Sequence, residues 1–195
     1  MGILDLFRKD KDRDEVHGAK VLVCTLDNRF DHLLKEDSEI YGRYYRATTA
    51  AVLPGIQALL GRLEQKYDIV HLLCDVTANG TITDAKGEEI TGTELIHRCC
   101  DLDVKLLWSA SDNPPERYLK GFGARGKRLN LVMTIQRKGP NFPSFLQRLL
   151  SQMAYGDSMP VAWNNLCPQI PRAEHPNAPE SIFFAGRGGA RLLAQ

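Results

Sequence analysis

The sequence lacks a surplus of charge of either sign, and it lacks any apolar run long enough to cross a membrane. Its 25 Lys and Arg residues nearly balance 24 Asp and Glu residues, so net charge favours neither nucleic acid nor an anionic membrane as a partner. The longest apolar stretches fall far below the ~20 residues that a membrane-spanning helix needs. We therefore expect no nucleic-acid binding and no stable membrane insertion.

Cysteine pairs of the kind that bind zinc or form a disulfide framework are also missing. The five cysteines are odd in number, and none belongs to a CxxC pair or to a zinc-type Cys/His spacing. No signal peptide precedes them. These features predict reduced thiols in a cytoplasmic protein, with no metal site.

The length and the charge pattern indicate a single domain behind a short leader. A chain of 195 residues suits one compact core rather than two. Residues 1–18 begin with a few apolar side chains and continue with a mixed run of charges, which is typical of an N-terminal leader and a solvated tether. We expect residues 19–195 to form one α/β domain.

Five short apolar runs alternate with stretches of helical periodicity. Continuous apolar runs are typical of strands that are covered on both faces, as in a parallel sheet. The runs span residues 19–26, 67–74, 104–110, 129–135 and 181–186, and the helical patterns span residues 49–66, 91–100 and 141–156. This alternation predicts a three-layer α/β sandwich with a mostly parallel sheet of about five to six strands and helices on both faces.

Residues 79–91 interrupt the alternation. Asn79-Gly80 and Lys86-Gly87 punctuate short polar segments, which predicts a surface β-hairpin after the second apolar run. Thr91 and Glu94 are spaced as in a capping box, so we expect a helix to begin directly after the hairpin.

The candidate site residues follow the second and third apolar runs. In an open α/β sheet, ligands bind beyond the carboxyl ends of the strands. Asp75 follows the second run and Ser111 follows the third. If these runs are parallel neighbours, both residues lie on one edge of the sheet.

The order of these elements resembles the CHAT domain of the caspase-like cysteine peptidases. "YDIVHLLCDV" (residues 67–76) is similar to that family's approach to its active site, with Tyr67, Asp68 and His71 at matching positions. The hairpin, the capped helix and "DVKLLWSASD" (residues 103–112) follow in the family's order. The resemblance covers about two thirds of the chain, from Tyr67 onward, and implies a caspase-like fold.

The two residues that define the peptidase are the two that depart from the family. The resemblance places the catalytic His at Asp75, the Gly after it at Val76, and the catalytic Cys at Ser111. A cysteine peptidase needs a thiolate and an imidazole that transfers a proton, and Ser and Asp do not replace them. The resemblance therefore implies a pseudopeptidase that binds or regulates other proteins. The alternative is an active hydrolase with a rearranged site that uses Ser111 or Cys74.

Two further patterns invite a catalytic or cofactor role. His71 and Cys74 are three positions apart, so on a strand their side chains point to opposite faces, and we interpret both as core residues. "GFGARGKR" (residues 121–128) contains a GxGxxG pattern, but it leads into a strand, whereas a dinucleotide fingerprint follows a strand and opens a helix. We expect no bound cofactor.

Overall fold

The structure, a computed structural model, describes residues 15–110, 117, 129–134, 142–166, 181–185 and 189–194. The strands are β1 (Glu15–His17), β2 (Val21–Thr25), β3 (Thr48–Val52), β4 (Ile69–Leu73), β5 (Thr81–Thr83), β6 (Glu89–Thr91), β7 (Leu106–Ala110), β8 (Asn130–Thr134), β9 (Ser181–Ala185) and β10 (Arg191–Leu193). The helices are α1 (Asp31–Gly42), α2 (Ile56–Leu63), α3 (Gly92–Asp101), α4 (Phe142–Ala154) and α5 (Met159–Leu166), and a 3-10 turn, Asn28–Phe30, precedes α1.

A six-stranded sheet forms the centre, in the order β3-β2-β4-β7-β8-β9. Neighbouring strands are parallel from β3 to β8, and β9 runs antiparallel to β8 at one edge. All five apolar runs of the sequence contribute a strand to this sheet. The predicted α/β class, with a mostly parallel sheet and helices on both faces, is confirmed.

Alternate residues of the central strands feed two separate cores. Every residue of β2, β4 and β7 is buried, as expected for strands covered on both faces. Val23 and Trp108 belong to the core beneath α1, α4 and α5. Leu22 and Leu107 belong to the core beneath α2 and α3. The period of two along each strand therefore decides which helical layer a side chain meets.

The sequence analysis missed three strands, β1, β3 and β10, and two helices, α1 and α5. The helical pattern assigned to residues 49–66 becomes helix only at Ile56, because Thr48–Val52 forms the edge strand β3. None of the residues of β3 is fully buried, so the segment lacks the apolar run that marks the inner strands. Helix α1 buries Leu33, Leu34 and Ile40 at helical spacing, a signal that was present in the sequence.

The predicted hairpin and capping box are both confirmed. Strands β5 and β6 pair antiparallel, with Ile82 opposite Ile90. The Thr91 hydroxyl accepts the backbone N–H of Glu94 at 3.1 Å, and the Glu94 carboxylate accepts the backbone N–H of Thr91 at 2.9 Å. Helix α3 therefore begins directly at the end of the hairpin.

The described chain begins inside the predicted tether. Strand β1, Glu15–His17, pairs in parallel with β10 near the other end of the chain. The Arg191 guanidinium lies 3.1 Å from the Glu15 carboxylate. Among the described helices, none is both long and apolar enough to cross a membrane.

Candidate functional site

The order of the strands reverses beside β2. The chain passes from β2 to β3 on one side of it, and then crosses back to β4 on its other side. Such a switch point opens a crevice at the carboxyl ends of the two diverging strands, where α/β proteins place their ligands. The loops that follow β2 and β4 therefore form the candidate site.

An ion pair joins these two loops. Nη2 of Arg29 lies 2.9 Å from Oδ2 of Asp75, and Nε of Arg29 lies 2.6 Å from Oδ2 of Asp27. Asp27 also accepts the backbone N–H of Arg29 at 2.8 Å, which fixes the 3-10 turn. This backbone bond and the guanidinium hold the pKa of Asp27 below its usual value. The residue that follows Cys74 at the carboxyl end of β4 is thus a carboxylate held by an arginine.

Cys74 precedes Asp75 but faces the interior. Its side chain lies in the core beneath α2 and α3, with Sγ 3.5 Å from the Ser109 hydroxyl. Burial raises the pKa of this thiol to about 12. Because the thiolate is the nucleophilic form of cysteine, Cys74 in this environment is a core residue and not an activated nucleophile.

His71 lies on the other face of β4, within a buried polar cluster. Its Nε2 is 3.3 Å from the Asp37 carboxylate of α1, and its Nδ1 is 3.2 Å from the Tyr41 hydroxyl. The imidazole stacks on the Trp108 ring with centroids 5.4 Å apart. All four side chains are fully buried. The predicted divergence of His71 and Cys74 is confirmed, and the imidazole is enclosed in the core.

The residue after Asp75, Val76, is held in place by contacts of its side chain and of its main chain. Val76 is fully buried and bridges Ile82 of the hairpin. Its carbonyl accepts a hydrogen bond from Nη1 of Arg117 at 3.0 Å. The bridge to Ile82 fixes this segment to the hairpin, and the hydrogen bond fixes its carbonyl to Arg117.

Ser111, the other candidate, lies outside the described residues. Its predecessor Ala110 ends β7 in parallel register with Leu73, the last residue of β4. The N–H of Cys74 donates to the carbonyl of Ala110 at 3.3 Å. The strands that lead to Asp75 and Ser111 are therefore direct neighbours and end at the same level of the sheet.

Sequence reasoning missed three residues that define these surroundings: Arg29, Asp37 and Tyr41. Arg29 stands 46 positions before Asp75, and only the strand order brings the two together. For Asp37 a signal existed, because a carboxylate on the apolar face of an amphipathic helix requires a buried partner. Within the described part of the chain, no group of three or more His, Cys, Asp or Glu side chains is placed to hold a metal ion.

No protein-family model matches the chain, and no curated protein matches it.

Proposed function

We propose that this chain is a catalytically inactive, caspase-like (CHAT-like) module that acts by binding or regulating other proteins. The observation that carries the proposal is the 2.9 Å contact between Arg29 and Asp75. In a working dyad this position supplies an imidazole that exchanges a proton with the leaving group. A carboxylate paired with a guanidinium does not supply that proton.

The surroundings of the other candidate groups support the same conclusion. The Cys74 thiol is buried and its pKa is raised, while the His71 imidazole is enclosed on the opposite side of the sheet. These two groups thus cannot cooperate in nucleophilic catalysis, which requires direct hydrogen-bond reach. The cytoplasmic location is part of the proposal, and it is supported by the free thiols of Cys24, Cys74 and Cys99.

Labelling with a fluorophosphonate probe tests the catalytic half of the proposal. This reagent phosphonylates serine hydroxyls that a neighbouring base has activated, and fluoride is the leaving group. We expect the probe to leave Ser111 of the native chain unlabelled. The Ser111→Ala variant, which has no hydroxyl at this position, is the control. Stoichiometric labelling of Ser111 in the native chain, absent from the urea-unfolded chain, contradicts the proposal and establishes the alternative, a serine-dependent hydrolase.

A further inference from the structure

A surface groove lies between α2, α3 and the hairpin, on the face of the sheet opposite to α1. Its volume is about 400 Å³. Ile56, Leu60 and Ile90 form its apolar lining, and Glu89 and Arg98 are among its charged residues. None of these residues belongs to the Arg29–Asp75 ion pair or to the His71 cluster.

The groove runs along the edge of strand β6. Glu89 and Ile90 are consecutive residues of this strand, and both line the groove. Consecutive side chains of a strand point to opposite sides. Glu89 and Ile90 can both line the groove only if it runs along the main chain that joins them. The edge of β6 therefore forms part of the groove wall.

The hydrogen-bond pattern of the hairpin turns the main chain of Glu89 toward this edge. The N–H of Asp84 donates to the carbonyl of Glu88 at 3.0 Å, and Thr83 faces Glu89 in the register. Opposed residues of an antiparallel ladder alternate between bonded and non-bonded pairs. The carbonyl of Asp84 in turn accepts the N–H of Gly87 at 3.1 Å, so Gly87 and Glu88 form a bulge that is bonded to Asp84. The next pair, Thr83 and Glu89, is therefore a non-bonded one. The N–H and the carbonyl of Glu89 therefore point away from β5.

The opposite edge of the hairpin is already occupied. Val76 bridges Ile82 of β5, and the N–H of Thr77 donates to the carbonyl of Thr81 at 2.8 Å. Within the described part of the chain, β6 is therefore the outer strand of this small sheet. On its outer edge the N–H of Thr91 is bound by the Glu94 carboxylate, so the main-chain groups offered there are those of Glu89. Unpaired main-chain groups of an outer strand are a template for an added strand.

The charge on the edge of β6 determines which kind of segment can pair with it. Glu89 is exposed and forms no ion pair with any residue that the structure describes, whereas Arg98 is paired with Glu64. The edge therefore presents unbalanced negative charge. Pairing of two copies through β6 would bring like charges together, which disfavours a second copy. A Lys or Arg opposite Glu89 supplies the complementary charge.

We propose that the edge of β6 captures an extended segment of a partner protein by strand addition. A Lys or Arg of that segment lies opposite Glu89, and the next side chain, apolar, enters the groove against Ile56, Leu60 and Ile90. The proposal rests on the protein-binding function proposed above, and it specifies where the partner binds and what chemistry it carries.

Selection of random linear peptides displayed on phage, with the full chain as bait, tests the proposal. We expect enrichment of peptides in which a Lys or Arg adjoins an apolar residue. Glu89→Lys should weaken their binding roughly tenfold, and Leu60→Ser should weaken it as well. Glu39→Lys is the matched control, because Glu39 is an exposed residue of α1 on the opposite face; it should leave binding unchanged. Failure to recover a binding peptide, or equal binding to Glu89→Lys, overturns the proposal.

N-methylated versions of the selected peptide separate strand addition from binding by side chains alone. In an added strand, alternate N–H groups face β6 and the others face solvent. Methylation of the N–H that pairs with Glu89 should weaken binding roughly tenfold, and methylation of the next N–H should have little effect. Equal effects at both positions contradict strand addition.

The two proposals fail in different ways. Peptides that bind elsewhere, insensitive to Glu89→Lys and Leu60→Ser, overturn the groove and leave a protein-binding module intact. Labelling of Ser111 by the fluorophosphonate contradicts the inactive module, whatever the peptides do at the groove.

Discussion

The Arg29 guanidinium lies 2.9 Å from the Asp75 carboxylate and joins the loops that follow two neighbouring parallel strands. Both side chains are largely exposed to solvent, with exposed fractions of 68% for Arg29 and 49% for Asp75. The pair lies at the switch point of the sheet, where we would expect a catalytic group. It consists instead of a cation and an anion that neutralise each other.

The exposure of this pair predicts that it contributes little to stability. A double-mutant cycle with Arg29→Ala and Asp75→Ala should give a coupling free energy below about 1 kcal/mol, as is usual for exposed ion pairs. Urea unfolding of the four proteins, in low and in moderate salt, measures it. A coupling of several kcal/mol would show that the pair is a structural element of the fold.

We expect the Asp37 carboxylate to contribute far more to the free energy of unfolding than an exposed carboxylate of α1 does. Its carboxylate lies 3.3 Å from Nε2 of His71 and both side chains are fully buried, so its removal leaves a buried imidazole without that contact. Asp37→Ala should lower the free energy of unfolding by about 3 kcal/mol or more. Glu39→Ala, an exposed position of the same helix, should change it by less than about 0.5 kcal/mol. Similar losses for both variants would contradict a structural role of the His71 cluster.

Asp84 ties the hairpin to the start of α2, and this contact makes stability depend on pH. Burial of the carboxylate opposes its ionisation, but hydrogen bonds from the N–H groups of Ile56, Lys86 and Glu88 outweigh burial, and the pKa of Asp84 lies below the ordinary value of 3.8. A depressed pKa stabilises the fold above the ordinary value, and this contribution disappears as the pH falls through the lowered pKa.

Asp84→Asn should therefore be less stable than the native chain at pH 7, and the difference should narrow below about pH 4. Urea unfolding of both proteins between pH 7 and pH 2.5 measures this. Gly55→Ala should also destabilise the chain, because a Cβ at Gly55 would lie 2.6 Å from Oδ2 of Asp84. A difference between native and Asp84→Asn protein that is constant over the whole pH range would contradict the role of the ionised carboxylate.

The buried thiols should resist alkylation. Burial raises the pKa of Cys24, Cys74 and Cys99, and all three side chains are enclosed. Iodoacetamide at pH 8 should modify Cys100, which is partly exposed, before these three. Peptide mapping by mass spectrometry, with the urea-unfolded chain as the control, measures the order. Rapid modification of Cys74 in the native chain would contradict its assignment to the core.

The sequence predicted the strands whose residues are all buried, and it did not predict the edge strand β3, whose residues are only partly buried. The inner strands β2, β4 and β7 are buried at every position, so each appears as a continuous apolar run. Edge strand β3 has no fully buried residue, and its Thr and Ala residues carry no such signal. Helical periodicity located α2, but the predicted range began at residue 49, whereas the helix begins only at Ile56.

The candidate site was predictable in place but not in its contacts. Asp75 could be placed at the carboxyl edge of the sheet because residues after parallel strands meet there. Its partner Arg29 could not be found, because their contact depends on β4 crossing back to lie beside β2. The burial of His71 followed from the two-residue period of a strand, whereas its contact with Asp37 depends on how α1 packs across the sheet.

The most direct test of the inactive module is incubation of the native chain with a proteome-derived peptide library in the presence of thiol, read by mass spectrometry. We expect no cleavage above that of a buffer control, and the same result for Ser111→Ala and Cys74→Ala. Cleavage by the native chain that disappears in either variant would contradict the account and establish a hydrolase that uses that residue.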